Sequence, residues 1–271
     1  MKYVRIAVSV LFVISVAFFG FVEYSEKSGI DNTLPTISGP TEPLEISCKY
    51  TDEELLKGLS AYDEKDGDLT AEIMINNLVP SLEKGKCKVN YVVFDSSNHP
   101  ATFSRDVVFT DYRSPEIYLS KPLVFKENSN ENIFGYIGAV DMIDGDISSL
   151  LRMNTNTNML EVGDYIINVE ATNSLGDFSK LEIPVHIIDI ADTKIKIELT
   201  ESIVYIKTND NFNAEKYIEA VTNVDGTPYE TDIVNIESNV NTSKPGVYEV
   251  IYTAEDSDTI KGFTALLVVV E

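Results

Sequence analysis

Apolar and polar residues alternate along most of the chain beyond residue 35. Three stretches carry the pattern most cleanly: "GKCKVNYVVFD" from Gly85, "GDYIINVEATN" from Gly163 and "GVYEVIYTAED" from Gly246. Cys87, Val89, Tyr91 and Val93 take alternate positions in the first, Tyr165, Ile167, Val169 and Ala171 in the second, and Tyr248, Val250, Tyr252 and Ala254 in the third. A period of two places each set on one face of a half-buried strand. A turn follows each strand ("DSSNHP", "TNSLGD", "EDSDTIKG"), and a second strand follows each turn ("TFSRDVVFTD", "FSKLEIPVHIID", "FTALLVVVE"). Apolar runs open each unit: "LEISCKY", "PLVFKE" and "SIVYIKT". Thr51 and Glu54 have the spacing of a capping box for one short helical turn.

These units repeat. Gly67 and Gly145 lie 78 residues apart, as do Gly85 and Gly163, and the third copy follows at spacings of 81 (Gly226) and 83 (Gly246). The expected architecture is all-β: three tandem β-sandwiches, which the resemblance given below makes Ig-like, preceded by one N-terminal transmembrane helix. The expected bounds are 1–23 for the anchor or signal peptide, 24–34 for a polar, flexible spacer, and 35–112, 113–190 and 191–271 for the three sandwiches. Short boundaries near Ser114 and Ala191 predict end-to-end stacking with limited freedom.

The N-terminus departs from the strand pattern. Lys2 and Arg5 precede an uncharged run of 17 residues, Ile6 to Val22, and Glu23 and Glu26 follow it. That length is at the short edge of what spans a bilayer, and the basic flank is expected inside. The reading is an uncleaved single-pass anchor with the C-terminal part extracellular. The rival is a cleaved signal peptide, since Ser15-Val16-Ala17 has small residues at the required spacing.

Charge and motifs narrow the function. A formal charge of −23 disfavours nucleic acid and anionic lipid headgroups as partners. The two histidines, His99 in a turn and His186 in a strand-like run, adjoin no nucleophile motif, and no G-x-S-x-G, H-E-x-x-H or phosphate loop occurs. A non-enzymatic protein is expected, with His186 on the solvent face of its strand. Cys48 and Cys87 are a candidate disulfide within the first sandwich, worth roughly 4 kcal/mol in the chain-entropy model. Their alternative is two separate buried thiols.

The acidic turns pose the sharpest question: "YDEKDGDLT" from Tyr62, "VDMIDGDIS" from Val140 and "VTNVDGTPY" from Val221. An EF-hand register fails, because it puts Tyr62 and Ile73, or Val140 and Arg152, at positions 1 and 12. Asp66, Asp68 and Asp95 remain candidates for another type of calcium site if their loops meet at one end of the sandwich. The competing reading is a turn in which glycine takes a positive φ and aspartates accept backbone N–H groups. No other cofactor is indicated.

The string "LSAYDEKDGDLTAEI…GKCKVNYVVFDSSNHPATFSRDVVF" resembles bacterial Ig-like repeats, the tandem surface-protein group that includes the Ig-like modules of pesticidal crystal proteins. The resemblance covers about residues 35–271. Its signature turn falls on Asp66, Gly67 and Asp68, on Asp144, Gly145 and Asp146, and on Asp225 and Gly226. The departures are Cys87 in a tyrosine slot, "ATN" closing the second long strand, and the lost second acid of the third turn. Together with the N-terminal anchor, the resemblance implies a membrane-anchored cell-surface stalk or adhesion module, with an unknown protein or glycan as partner. A glycan-binding or calcium-rigidified adhesin module is the alternative, and the third sandwich is the expected tip.

Overall fold

The computed structural model describes residues 2–29, 33–155, 159, 161–189, 193–257 and 260–271. The chain is mostly β and falls into two compact units, one of residues 1–81 and 86–110, the other of residues 82–85 and 111–271. The expected boundary at Ala191 lies outside the described residues.

In the first unit, helix α1 (Lys2–Gly29) comes first. It runs six residues past Glu23, into the segment expected to be a flexible spacer. Among the described residues no helix is long and apolar enough to cross a membrane. Strands β1 (Thr36–Ser38), β2 (Leu44–Ile46), β3 (Ser60–Asp63), β4 (Gly67–Asp68), β5 (Met74–Pro80), β6 (Lys86–Phe94) and β7 (Pro100–Phe109) follow. They make two sheets, β1-β3-β4 and β2-β7-β6-β5. The opening segment thus feeds both sheets, with β1 antiparallel to β3 and β2 parallel to β7. Helix α2 (Asp52–Leu56) sits between β2 and β3, and the Glu54 carboxylate accepts the Thr51 N–H at 3.0 Å. Cys87, Val89, Tyr91 and Val93 are all buried, as the period-two pattern requires.

The second unit contains this plan twice. Strands β8 (Glu116–Leu119), β9 (Val124–Lys126), β10 (Ile137–Asp141), β11 (Gly145–Asp146), β12 (Arg152–Thr155), β13 (Gly163–Thr172) and β14 (Phe178–Ile188) form sheets β11-β10-β8 and β12-β13-β14-β9. Strands β15 (Ile195–Leu199), β16 (Ile203–Ile206), β17 (Ile218–Asn223), β18 (Val234–Ser238), β19 (Gly246–Ser257) and β20 (Ile260–Val270) form sheets β15-β17 and β16-β20-β19-β18. The third copy lacks the two-residue strand of the acidic turn. Where Asp68 and Asp146 stand in the others it has Thr227, and only an isolated bridge, Thr222 to Pro228, remains there.

These two sandwiches share core, in place of the end-to-end stacking expected from their short boundary. On β20, Leu266, Val268 and Val270 face the third sandwich's interior, while Leu267 and Val269 belong to the second sandwich's apolar cluster. Ile203, Tyr205 and Val247 pack against that same cluster. The Tyr205 hydroxyl donates to the Ile117 carbonyl at 2.9 Å and accepts its N–H at 3.1 Å. A strand buried on both faces needs a continuous apolar run, which "ALLVVV" supplies.

Candidate functional site

Each acidic turn begins with a glycine-enabled reversal. Gly67, Gly145 and Gly226 take φ of +82°, +71° and +86°, in the left-handed region that other residues enter at a cost. Asp68 Oδ1 accepts the Thr70 N–H and Asp146 Oδ1 accepts the Ser148 N–H, each at 2.9 Å. Bonds from the Thr70 and Ser148 hydroxyl and N–H hold both carboxyls below the usual carboxylate range. In the third copy the Thr227 N–H does the same for Asp225, at 2.9 Å.

The acidic turn meets the turn between the two long strands. Asp66 accepts the Ser96 N–H and hydroxyl, both at 2.8 Å. In the second copy Asp144 accepts the same pair from Ser174, at 2.6 and 2.7 Å. The loops of Asp66 and Asp95 therefore do lie together, but their carboxylates serve the backbone. Asp95 Oδ1 accepts the Ser97 and His99 N–H groups at 2.9 and 2.7 Å, and Oδ2 lies 2.7 Å from His99 Nδ1. Among the described residues no group of three His, Cys, Asp or Glu side chains is arranged to hold a metal ion.

Beneath the first two turns sits a further acid outside the Asp-Gly-Asp signature, Asp63 in the first copy and Asp141 in the second, where the third copy has Thr222. Both are buried. Asp63 Oδ1 accepts the Lys65 and Asp66 N–H groups at 2.8 and 3.0 Å, and Asp141 Oδ1 accepts those of Ile143 and Asp144 at the same distances. Their second oxygens differ. Asp141 Oδ2 accepts from Asn173 Nδ2 at 3.0 Å, whereas Asp63 Oδ2 is buried without a hydrogen-bond partner. The cause is readable in sequence: the position of Asn173 is held by Asp95, which has no amide to donate.

No disulfide joins Cys48 and Cys87, which corrects the expected pairing. Both thiols are buried. Burial first, then the negative charge of Asp106, pushes the Cys87 thiol up to about 11, so it is held in the unreactive protonated form. His186 also departs from expectation. It is 5% exposed, because the face assigned to solvent is covered by the third sandwich. The run "IPVHII" carried this signal, since apolar residues on both parities mark a strand buried on two faces.

The third sandwich has an open groove at one end, about 930 Å³, lined by Phe212, Asn213, Glu215, Ser238, Asn241 and Thr242 among others. Phe212 stacks on Tyr217 with ring centroids 5.6 Å apart, which fixes the ring at the groove wall. Asn213 Oδ1 accepts the Glu215 N–H at 3.0 Å, and Asn241 Oδ1 accepts the Ser243 N–H and hydroxyl at 3.1 and 2.7 Å. With their oxygens so engaged, the capacity left to both amides is that of Nδ2, a donor. The lining thus includes one aromatic ring, two amides, two hydroxyls and one carboxylate.

Residues 197–265 match the family of bacterial surface protein Ig-like domains. Two curated relatives are similar over longer stretches. An uncharacterized 81.3 kDa protein of Acholeplasma phage L2 is 29% identical over 174 residues, 62% of this chain and 22% of the relative. Pesticidal crystal protein Cry22Aa of Bacillus thuringiensis is 27% identical over 206 residues, 73% of this chain and 27% of the relative. The chain therefore spans about a quarter of the length of these relatives. Among solved structures, the M60 catalytic domain with two CBM51 domains of Clostridium perfringens ZmpB aligns over 89% of this chain and 31% of its own, at 14% identity and a TM-score of 0.25. The protocadherin GammaB4 extracellular domain aligns over 89% and 49%, at 13% identity and a TM-score of 0.23. At such scores neither likeness carries an argument about function.

Proposed function

We propose, from the bacterial surface Ig-like domain at residues 197–265, that this chain is a non-catalytic cell-surface interaction module whose contact site is the end groove of the third sandwich. The observation that carries this reading is the groove itself. It lies within the family-matched domain, and its lining offers ring, amide, hydroxyl and carboxylate groups, with no histidine or cysteine beside the Ser238 and Thr242 hydroxyls. Such a set suits hydroxyl-rich, uncharged ligands, whose C–H faces stack on a ring while their hydroxyls bond amides and carboxylates. A surface glycan is the ligand class we favour. The test is a glycan microarray and binding to intact bacterial envelopes, comparing wild type with Phe212→Ala and Asn241→Ala. Loss of binding in both variants supports the reading. Full retention by folded variants sinks it.

We further propose, on the full uncharged run Ile6–Val22, which is at the short edge of what spans a bilayer, that the N-terminal segment anchors the module in a membrane, with the sandwiches outside. The support is its exposed apolar surface: Val10 and Phe12 are 52% and 69% exposed, and Leu11, Val13, Ile14 and Phe18 are exposed beside them, so the apolar stretch from Val8 to Val22 is exposed on every side. Lys2 and Arg5 give the positive flank. Alkaline washing of membranes tests this. Retention in the pellet, with the sandwiches digestible from outside intact cells, is expected; release into the wash overturns it.

A further inference from the structure

We propose that His186 is a proton-operated clamp, which in its charged form locks the second and third sandwiches into one body and in its neutral form lets the joint loosen. The geometry states the case. His186 Nδ1 lies 2.7 Å from Asp164 Oδ1, and Nε2 lies 2.7 Å from Glu249 Oε1. Asp164 is on β13, the strand paired beside His186, and Glu249 is on β19 of the third sandwich. Both neighbours are carboxylates, acceptors only, so each contact needs an N–H from the ring. Neutral imidazole has one N–H and imidazolium has two. Only the charged ring satisfies both contacts.

The surroundings make that charge matter. His186 is buried, while Asp164 is 84% exposed and Glu249 is 17% exposed. Phe263 on β20 packs against the ring with centroids 5.1 Å apart, and β9 sets Val124 beside it in register. The charged groups facing the ring are therefore Asp164 from β13 and Glu249 from β19, with apolar residues from β9 and β20. Glu249 is itself held, since its N–H donates to Asn239 Oδ1 at 2.8 Å. Burial alone would push the imidazolium toward losing its proton, but the bonds and charges of Glu249 and Asp164 outweigh it and raise the ring above the ordinary 6.5.

The direction of the pH effect follows. A ring whose folded value lies above its unfolded value contributes fully below the unfolded value. Its contribution fades as pH rises through the folded value. Loss of the proton leaves one N–H for two carboxylates, so the contact that crosses between sandwiches either faces a ring lone pair or keeps its Nε2–H bond without the charge that strengthened it. The remaining joint is apolar packing and Tyr205, which permits sliding that a charged bond to one atom does not.

The test uses the full chain. His99→Gln leaves one imidazole, so its ring proton is assigned by NMR and titrated. Spin labels on ketone-bearing residues at positions 152 and 237 report the spacing of the two sandwiches without touching the native thiols. Expected are a midpoint above 6.5 and a single narrow distance below that midpoint, broadening above it. Glu249→Gln should lower the midpoint and broaden the distance at every pH. Should that variant not fold, Asp164→Asn at the exposed partner should still lower the midpoint. A midpoint at or below 6.5, an unchanged midpoint in Asp164→Asn, or a narrow distance on both sides of the titration would overturn the clamp.

Discussion

Replacing Asp95 by asparagine should stabilise the first sandwich, although it deletes a buried carboxylate that accepts three hydrogen bonds. The second copy supplies the reasoning. Asn173 stands in the place of Asp95 and keeps the same turn, with its Oδ1 accepting the Leu175 and Asp177 N–H groups at 3.1 and 2.9 Å. Its Nδ2 donates twice, to Asp141 Oδ2 at 3.0 Å and to the Tyr112 hydroxyl at 2.9 Å. In Asp95→Asn, Oδ1 would keep the Ser97 and His99 N–H groups, and Nδ2 would give Asp63 Oδ2 the donor it lacks. The second Nδ2 hydrogen can face the His99 ring, whose Nδ1 then acts as acceptor. Asp63 is 1% exposed, and an unsatisfied buried acceptor costs about 1–3 kcal/mol. For a domain of this size each kcal/mol moves Tm by roughly 4–8 °C, so a rise of several degrees is expected. Differential scanning calorimetry on the full chain reads it, with Asn173→Asp in the second copy as the mirror experiment, expected to lower Tm by a similar amount. An unchanged or lowered Tm in Asp95→Asn, with no loss in Asn173→Asp, would refute the account of Asp63.

Three further outcomes follow from the same geometry. The Tyr252 hydroxyl donates to the Ala214 carbonyl at 2.8 Å and Tyr91 donates likewise to Leu55, so Tyr252→Phe and Tyr91→Phe should each cost about 1–2 kcal/mol in urea denaturation; no change would deny these bonds a role. A Cβ on Gly262 would stand 2.4 Å from the Ile195 carbonyl oxygen, so Gly262→Ala should destabilise the third sandwich by about 1–3 kcal/mol, and a neutral result would show that β15 yields freely. Asp66 and Asp95 engage both carboxylate oxygens, and Asp68 its Oδ1, with protein groups, so millimolar calcium should leave Tm unchanged; a calcium-dependent rise would show that a cation competes with these bonds.

The sequence alone determined whatever is local or periodic. Alternation placed the buried face of the first long strand of each copy, β6, β13 and β19, and the repeat spacings set three copies of one sheet plan, because side-chain direction in a strand follows directly from residue number. Glycine at Gly67, Gly145 and Gly226 marked the turns, since the left-handed backbone there excludes most alternatives. Asparagine at position 173 against aspartate at position 95 was likewise in plain view, but its meaning was not. A missing donor becomes visible only when the buried oxygen it should have served is located. Tertiary structure alone decided three matters. It kept Cys48 and Cys87 as buried thiols, it gathered a groove from segments around Phe212 and Asn241, and it laid the second sandwich against the outer face of β20. That last contact turned His186 from a surface residue into a buried one between two carboxylates. Burial on a strand's second face depends on which other element arrives there, and no pattern within the strand names that element.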